Sequence, residues 1–145
     1  MKEILFYRTS DPYGCFSNFS RHGFMLEDIF WPTAEHYFQA SKFIDIKLKL
    51  EVANLLSPMD AALYGRDNKK PLRPDWEEIK NDIMRTALYH KFNQNKDIEK
   101  VLLSTIGFNL IEHTKNDSYW GDGGNGTGKN MLGRLLMEIR DNIHY

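Results

Sequence analysis

The sequence predicts a mainly α fold, an α+β chain in which a few short strands stand at the margins of a helical body. Three observations carry this reading. Trp76, Ile79, Ile83, Ala87 and Leu88 recur at helical spacing through the longest periodic segment. Helix-start signals stand at Pro32-Thr33 and at Ser57-Pro58. The runs that read as strands are short and bounded by turn residues.

Taken in order, Ile4 to Tyr7 reads as a strand, and the turn-rich "RTSDPYGCFSNFS" follows it. Phe24 to Trp31 reads as a hairpin turning at Glu27-Asp28, although the turn lacks the usual glycine. Thr33 caps a helix expected to run to about Ile44. A second helix spans roughly Ile46 to Leu56, with Leu48, Val52 and Leu55 on one face. Ser57 and Pro58 open a third, which Gly65 is expected to end. After the loop "RDNKKPLRP" comes the long helix from about Asp75 to Asn93, then a shorter one from Ile98 to Thr105. "FNLIEHT" reads as a strand, a glycine-rich loop follows, and Asn130 to Ile143 forms the last helix.

With 145 residues, 41% hydrophobic and 27% charged, the chain has the size and composition of one soluble domain, residues 1–145. Its net charge of -1 argues against a broad basic surface that grips nucleic acid over many phosphates. The single cysteine, Cys15, cannot form an internal disulfide, so a cytoplasmic location is expected. No apolar run reaches membrane-spanning length, the N-terminus lacks a signal-peptide core, and no membrane or obligate protein partner is expected. The five histidines and one cysteine show no ligand spacing, so no metal and no cofactor are expected.

"GGNGTGKN" (123–130) nearly matches the phosphate-binding G-x-x-x-x-G-K-[ST] pattern. Asn130 stands where that pattern needs a hydroxyl for magnesium, and "KNDSYWGD" is not the buried strand that must precede it. The residues after Asn130 make one helix, leaving no downstream strand for a second carboxylate. A nucleoside triphosphatase is therefore excluded. A glycine loop running into a helix N-terminus is still expected to offer free N–H groups to a phosphate or to ribose hydroxyls. Tyr119 and Trp120 precede the loop as stacking surfaces, and Asp122 sits between Gly121 and Gly123, which permit close backbone approach.

The helix in "WPTAEHYFQASKF" carries a polar stripe. At helical pitch Glu35, Gln39 and Lys42 fall within about 60° of one another. Phe38 flanks the stripe on one side, His36 and Phe43 on the other, while Tyr37, Ala40, Ser41 and Ile44 should face the core. A plain solvent face would have more polar neighbours, so the stripe is read as lining a cleft; an ordinary surface salt bridge is the plainer alternative.

"SNF" (17–19), "WPTAEHYFQASKF" (31–43), "SPMDAALYGRD" (57–67), "PLRPDW" (71–76), "LIEHTKNDSYWGDGG" (110–124) and "GKNMLG" (128–133), in this order, resemble the NADAR, or YbiA-like, family across nearly the whole chain. The resemblance implies an enzyme that hydrolyses N-glycosidic bonds to ribose. Its substrate would be ADP-ribose on guanine in nucleic acid, or a phosphoribosylated pyrimidine intermediate of riboflavin synthesis. It further implies imine chemistry at an essential lysine, for which Lys42 is the match and Lys129 the competitor. Glu35 would then shuttle protons, Gln39 orient its neighbours, and Asp122 meet ribose hydroxyls or the hydrolytic water. Asn18 and Phe19 belong to the first block and Asn130 to the last, and the resemblance makes them substrate contacts. Trp76 would join Tyr119 and Trp120 in stacking on the base, or stand as a core tryptophan opening the long helix, and the loop patch of Arg66, Lys69, Lys70 and Arg73 would meet phosphates or remain a solvated loop. Only a neutral amine attacks carbon, and at pH 7 about one free lysine in 2,500 is neutral, so burial should lower the lysine pKa. The rival class is a binding module that recognises ADP-ribose or a related nucleotide without turnover.

Overall fold

The structure is a computed structural model that describes residues 2–143; Met1, His144 and Tyr145, which complete the expected 1–145 domain, lie outside it. It is mainly α with four short strands among the described residues, in the expected order. The contacts divide the described residues into two packing units, one of residues 21–94 and one of residues 2–20 with 95–143.

In the first unit, β1 of the hairpin (Phe24–Leu26) pairs antiparallel with β2 (Ile29–Trp31), Phe24 opposite Trp31. Glu27 and Asp28 take φ of 58° and 62° at the turn. Positive φ at both central positions suits the right-handed twist of a two-residue hairpin, so the expected turn forms without glycine. Four helices follow: α1 (Ala34–Ala40), α2 (Ile46–Ala53), α3 (Pro58–Arg66) and α4 (Trp76–Gln94). The first three start where their caps demand, with the Thr33, Asp45 and Ser57 side chains accepting from the N–H groups of His36, Lys47 and Asp60. Helix α1 lies at the centre, packed against α2, α3, α4 and β2, and all seven of its residues are buried. Its Tyr37 packs in the core with Phe24, Trp31 and Phe43, Trp31 standing edge-on to Tyr37 with ring centres 5.3 Å apart. Burial of a side chain such as Phe43 contributes about 1.5–3 kcal/mol.

Three expectations fail here. Helix α2 stops at Ala53, short of the expected Leu56, which is exposed. Helix α1 ends at Ala40 instead of Ile44. The N–H groups of Lys42 and Phe43 tighten onto the carbonyls of Gln39 and Ala40, and the Lys42 carbonyl accepts from the N–H of Arg73 at 2.9 Å. That carbonyl is lost to the helix, Asp45 starts the next one, and Ile44 is left 69% exposed. Gly65 does not end α3, which runs on to Arg66 with Asp67 as its cap.

The second unit holds a 3₁₀ turn (Gly14–Phe16), α5 (Lys96–Leu103), α6 (Met131–Asp141) and two strands, β3 (Glu3–Phe6) and β4 (Asn109–Glu112), numbered after the hairpin pair. Strands β3 and β4 pair in parallel, with Ile4 opposite Leu110. Helix α6 packs on β4 and α5 through Leu132, Leu135, Leu136 and Ile139. Arg140, nearly buried, donates to the carbonyls of Thr105 and Phe108 at 2.9 and 2.8 Å and so fixes the chain between α5 and β4.

His36 is fully buried in α1, with Nδ1 2.7 Å from the Thr33 hydroxyl and Nε2 3.0 Å from the Leu55 carbonyl. Burial pushes its pKa below the ordinary 6.5, against the opposing pull of the Leu55 carbonyl. The fold therefore favours neutral imidazole, while the unfolded chain takes up a proton near 6.5. This contribution to stability is complete above that pH and is lost as pH falls below it. An NMR titration of the imidazole should place His36 below 6.5, and Tm should drop as the pH is lowered from 7 to 5; a midpoint at or above 6.5 would contradict the assignment.

Candidate functional site

Two groups of the expected site residues come together, one in each unit. In the first, Gln39 and Glu35 sit a turn apart on α1, both buried, and Gln39 Nε2 donates to Glu35 Oε2 at 2.7 Å. Lys42 lies in the turn just past the helix, half-buried, and Nζ donates to the Gly65 carbonyl at 3.4 Å. Phe38 and Trp76 wall it, each ring centre 5.9 Å from Nζ. Trp76 is itself buried and packs edge-on against Phe38 at 5.0 Å, so its ring belongs to the wall of the lysine site.

Burial is the largest influence on Lys42 and lowers its pKa below 10.5; Glu35 pulls the other way, and the exposed Arg66 adds to the lowering. Cation–π attraction to the two rings also favours the charged form, but 5.9 Å is near the limit of that interaction, where it is weak. Loss of water wins. The result is an amine more readily neutral than a surface lysine, beside a carboxylate whose geometry an amide fixes.

In the second unit the glycine loop is built differently from the sequence expectation. The N–H groups of Gly128, Lys129, Asn130, Met131 and Leu132 donate to the carbonyls of Asp122, Ser118, Gly121, Tyr119 and Trp120, all at 2.8–3.0 Å. The donors expected to be free at the start of α6 are thus taken by the chain itself. Asn130 adopts a left-handed conformation (φ 51°), and its side chain accepts from Glu112 N and donates to the Leu110 carbonyl, both at 2.9 Å. It extends the edge of β4 and makes no capping bond at the helix start.

Asp122, read from sequence as a ligand-facing carboxylate, is only 5% exposed. Its Oδ1 accepts from Thr114 N and Gly124 N at 3.0 and 2.8 Å, and Oδ2 faces His113 Nδ1 at 2.7 Å. Burial, the largest influence, pushes its pKa up, but the His113 contact and the two N–H groups together outweigh it and hold the carboxyl below its usual range. Gly123 has φ of 73°, and a side chain on Gly121 would strike Thr114 and the carbonyls of Glu112 and Asp117. Both glycines serve the loop's own path. Tyr119 and Trp120 are half-buried with ring centres 4.9 Å apart, and the Lys129 ammonium lies 5.4 Å from the Tyr119 ring. Asn18 is buried with Oδ1 unpartnered among the described residues, and Phe19 beside it is half-buried.

His113 is the residue that sequence reasoning passed over. It is half-exposed and oriented by a buried carboxylate. Nothing local announces the pair, because nine positions separate the two residues. Among the described residues no group of three His, Cys, Asp or Glu side chains is placed to hold a metal, and no helix is long and apolar enough to cross a membrane.

A family model described as the NADAR domain matches residues 5–144, and so spans both packing units. The chain belongs to the NADAR domain family. Among curated relatives, N-glycosidase YbiA of Escherichia coli strain K12 is 53% identical over 140 residues, covering 97% of this chain and 88% of that protein. A chloroplastic riboflavin biosynthesis protein of Zea mays, PYRR, is 41% identical over 97% of this chain, which corresponds to 25% of that longer protein. The solution NMR structure of the E. coli protein YbiA superposes with a TM-score of 0.89, at 50% identity, over 99% of this chain and 90% of that one.

The loop geometry makes two predictions. Phosphate-release assays with ATP or GTP and magnesium should show no turnover; hydrolysis that disappears in Lys129→Ala would contradict the loop as described. Asp122→Ala should lower Tm by about 5–10 °C, since three contacts to a buried carboxylate are lost at once. An unchanged melting curve would show that the carboxylate does not hold the loop.

Proposed function

We propose that this protein is an N-glycosidase that cleaves the bond between a ribosyl C1′ and a base nitrogen through the Lys42 amine. The observation that carries the proposal is the half-buried Lys42, its pKa lowered by burial between Phe38 and Trp76, beside a Glu35 carboxylate held by Gln39. The name of the E. coli relative, N-glycosidase, supports the reaction class.

The neutral amine of Lys42 forms a bond to C1′ as the C1′–N bond breaks and the base leaves with the bonding electrons. Glu35 accepts the proton released by the attacking amine and returns one to the departing base or to the ring oxygen. The sugar ring opens to the imine, water adds to its carbon, and the lysine is freed. The Glu35 charge favours the ammonium form of Lys42 and works against burial there. Arg66, exposed one residue beyond Gly65, supplies positive charge for a substrate phosphate.

Two leaving groups satisfy this chemistry: guanine in ADP-ribosylated nucleic acid and the pyrimidine of a phosphoribosylated riboflavin intermediate. The name of the maize relative supports the second. In the second unit, taken by itself, Asp122 orients His113, and Tyr119, Trp120 and Lys129 form a surface suited to a base or phosphate.

Borohydride added during turnover should reduce the imine and fix the sugar fragment to Lys42, as read by mass spectrometry of the digested protein. Lys42→Arg keeps the charge but cannot present a neutral amine, and turnover should cease while folding is retained. Glu35→Gln should slow turnover by about 10²–10⁴, the usual value of acid–base assistance. An adduct on Lys129, or full activity in Lys42→Arg, would refute the assignment.

A further inference from the structure

Gly65 occupies a place in α3 that its backbone does not explain. It is not among the glycines with positive φ, and it lies inside the helix, one residue before its end. Glycine is the poorest helix former after proline, so alanine would suit this position better as far as the helix is concerned. What excludes a side chain is Gln39. A Cβ on Gly65 would stand 1.9 Å from Gln39 Oε1, 2.8 Å from its Cδ and 3.0 Å from its Cβ.

Gln39 is 3% exposed, and among the described residues its Oε1 has no hydrogen-bond partner. The bond from Nε2 to Glu35 is the polar contact recorded for its side-chain amide. A terminal amide held at one end and bare at the other moves aside when crowded, and here moving aside means leaving Glu35. The carbonyl of the same glycine accepts from Lys42 Nζ. One residue of α3 therefore touches both arms of the candidate centre, the lysine through its carbonyl and the carboxylate through the space it leaves for Gln39.

We propose that Gly65 is a positioning residue of the Lys42 centre: its missing side chain keeps the Gln39 amide on Glu35. This rests on the assignment of Lys42 and Glu35 as the reacting pair. The two closest atoms, Oε1 and Cδ, belong to the far end of a flexible side chain, so the fold tolerates a methyl group at 65 while the centre does not. Catalysis and helix stability make opposite demands on this position.

The experiment is a double-mutant cycle with Gly65→Ala and Gln39→Ala, read by melting and by steady-state kinetics, with Lys42→Arg in the same assay. Gly65→Ala should fold and melt within a few degrees of the wild type, since the gain in helix propensity is offset by the lost Gln39–Glu35 bond. It should keep KM unchanged and lose kcat by about 10–100-fold, as misplacement of a reacting group does. Gln39→Ala should lose a similar factor, and adding Gly65→Ala to it should cost nothing further, because the side chain to be displaced is gone. Wild-type kcat in Gly65→Ala overturns the proposal, and so do losses that multiply in the double variant. Should Gly65→Ala alone fail to fold, the double variant must fold; failure of both shows that the glycine serves packing alone. Turnover in Lys42→Arg removes the underlying assignment, whereas an inactive Lys42→Arg beside an unimpaired Gly65→Ala removes only the role of Gly65.

Discussion

Complete burial of α1 is the constraint from which most of the first unit follows. A helix with water on one side can leave its polar side chains there; this one cannot, since all seven residues from Ala34 to Ala40 are buried. Its polar groups are met inside, because an unpaired one costs about 1–3 kcal/mol; among the described residues Gln39 Oε1 is the exception on this helix. His36 meets Thr33 and the Leu55 carbonyl, which ties the N-terminus of α1 to the end of the following helical segment. Glu35 is met by Gln39. Helix α3 comes close at Gly65, which lies against the Gln39 amide and accepts from Lys42, so that the amide and the lysine meet at one residue. The same enclosure that makes the helix hard to bury gives its lysine an unusual amine.

The glycine loop solves the opposite problem. It is a long connection with many exposed positions, and it holds its path by using its own backbone and one buried carboxylate. Asp122 gathers Thr114, Gly124 and His113, while the 118–122 carbonyls take the N–H groups of residues 128–132. A loop whose donors are spent on itself is a rigid platform for the side chains at its surface, and a poor cradle for a triphosphate. Rigidity here comes from hydrogen bonding, not from a packed apolar core.

Most of the fold was legible in the sequence because its signals are local. The Thr33 and Ser57 caps, the alternation at residues 24–31 and the apolar spacing of α4 each describe one element, and each element formed where indicated. What stayed hidden depends on contacts distant in sequence. The early end of α1 turns on the Arg73 N–H reaching back to the Lys42 carbonyl. Gly65 looked like a helix terminator because its true neighbour, Gln39, stands 26 positions away. Buried Lys91 on α4 broke no pattern that periodicity reads, and His113 became notable only once Asp122 was seen beneath it. The polar stripe of Glu35, Gln39 and Lys42 was visible, but its burial was not, since helical spacing gives direction and says nothing about what stands opposite.

The central claim is that burial makes Lys42 a weaker base than a surface lysine, and the ionisation of its amine tests this most directly. Side-chain NMR of lysine-labelled protein, with the Lys42 signal assigned from its absence in Lys42→Arg, gives the midpoint without substrate and without assuming any activity. The midpoint should lie below the ordinary 10.5, with the difference reduced when Phe38 or Trp76 is truncated to alanine and water is admitted. A midpoint at or above 10.5 would mean that the Glu35 charge outweighs burial, leaving the lysine an ion-pair partner instead of a nucleophile.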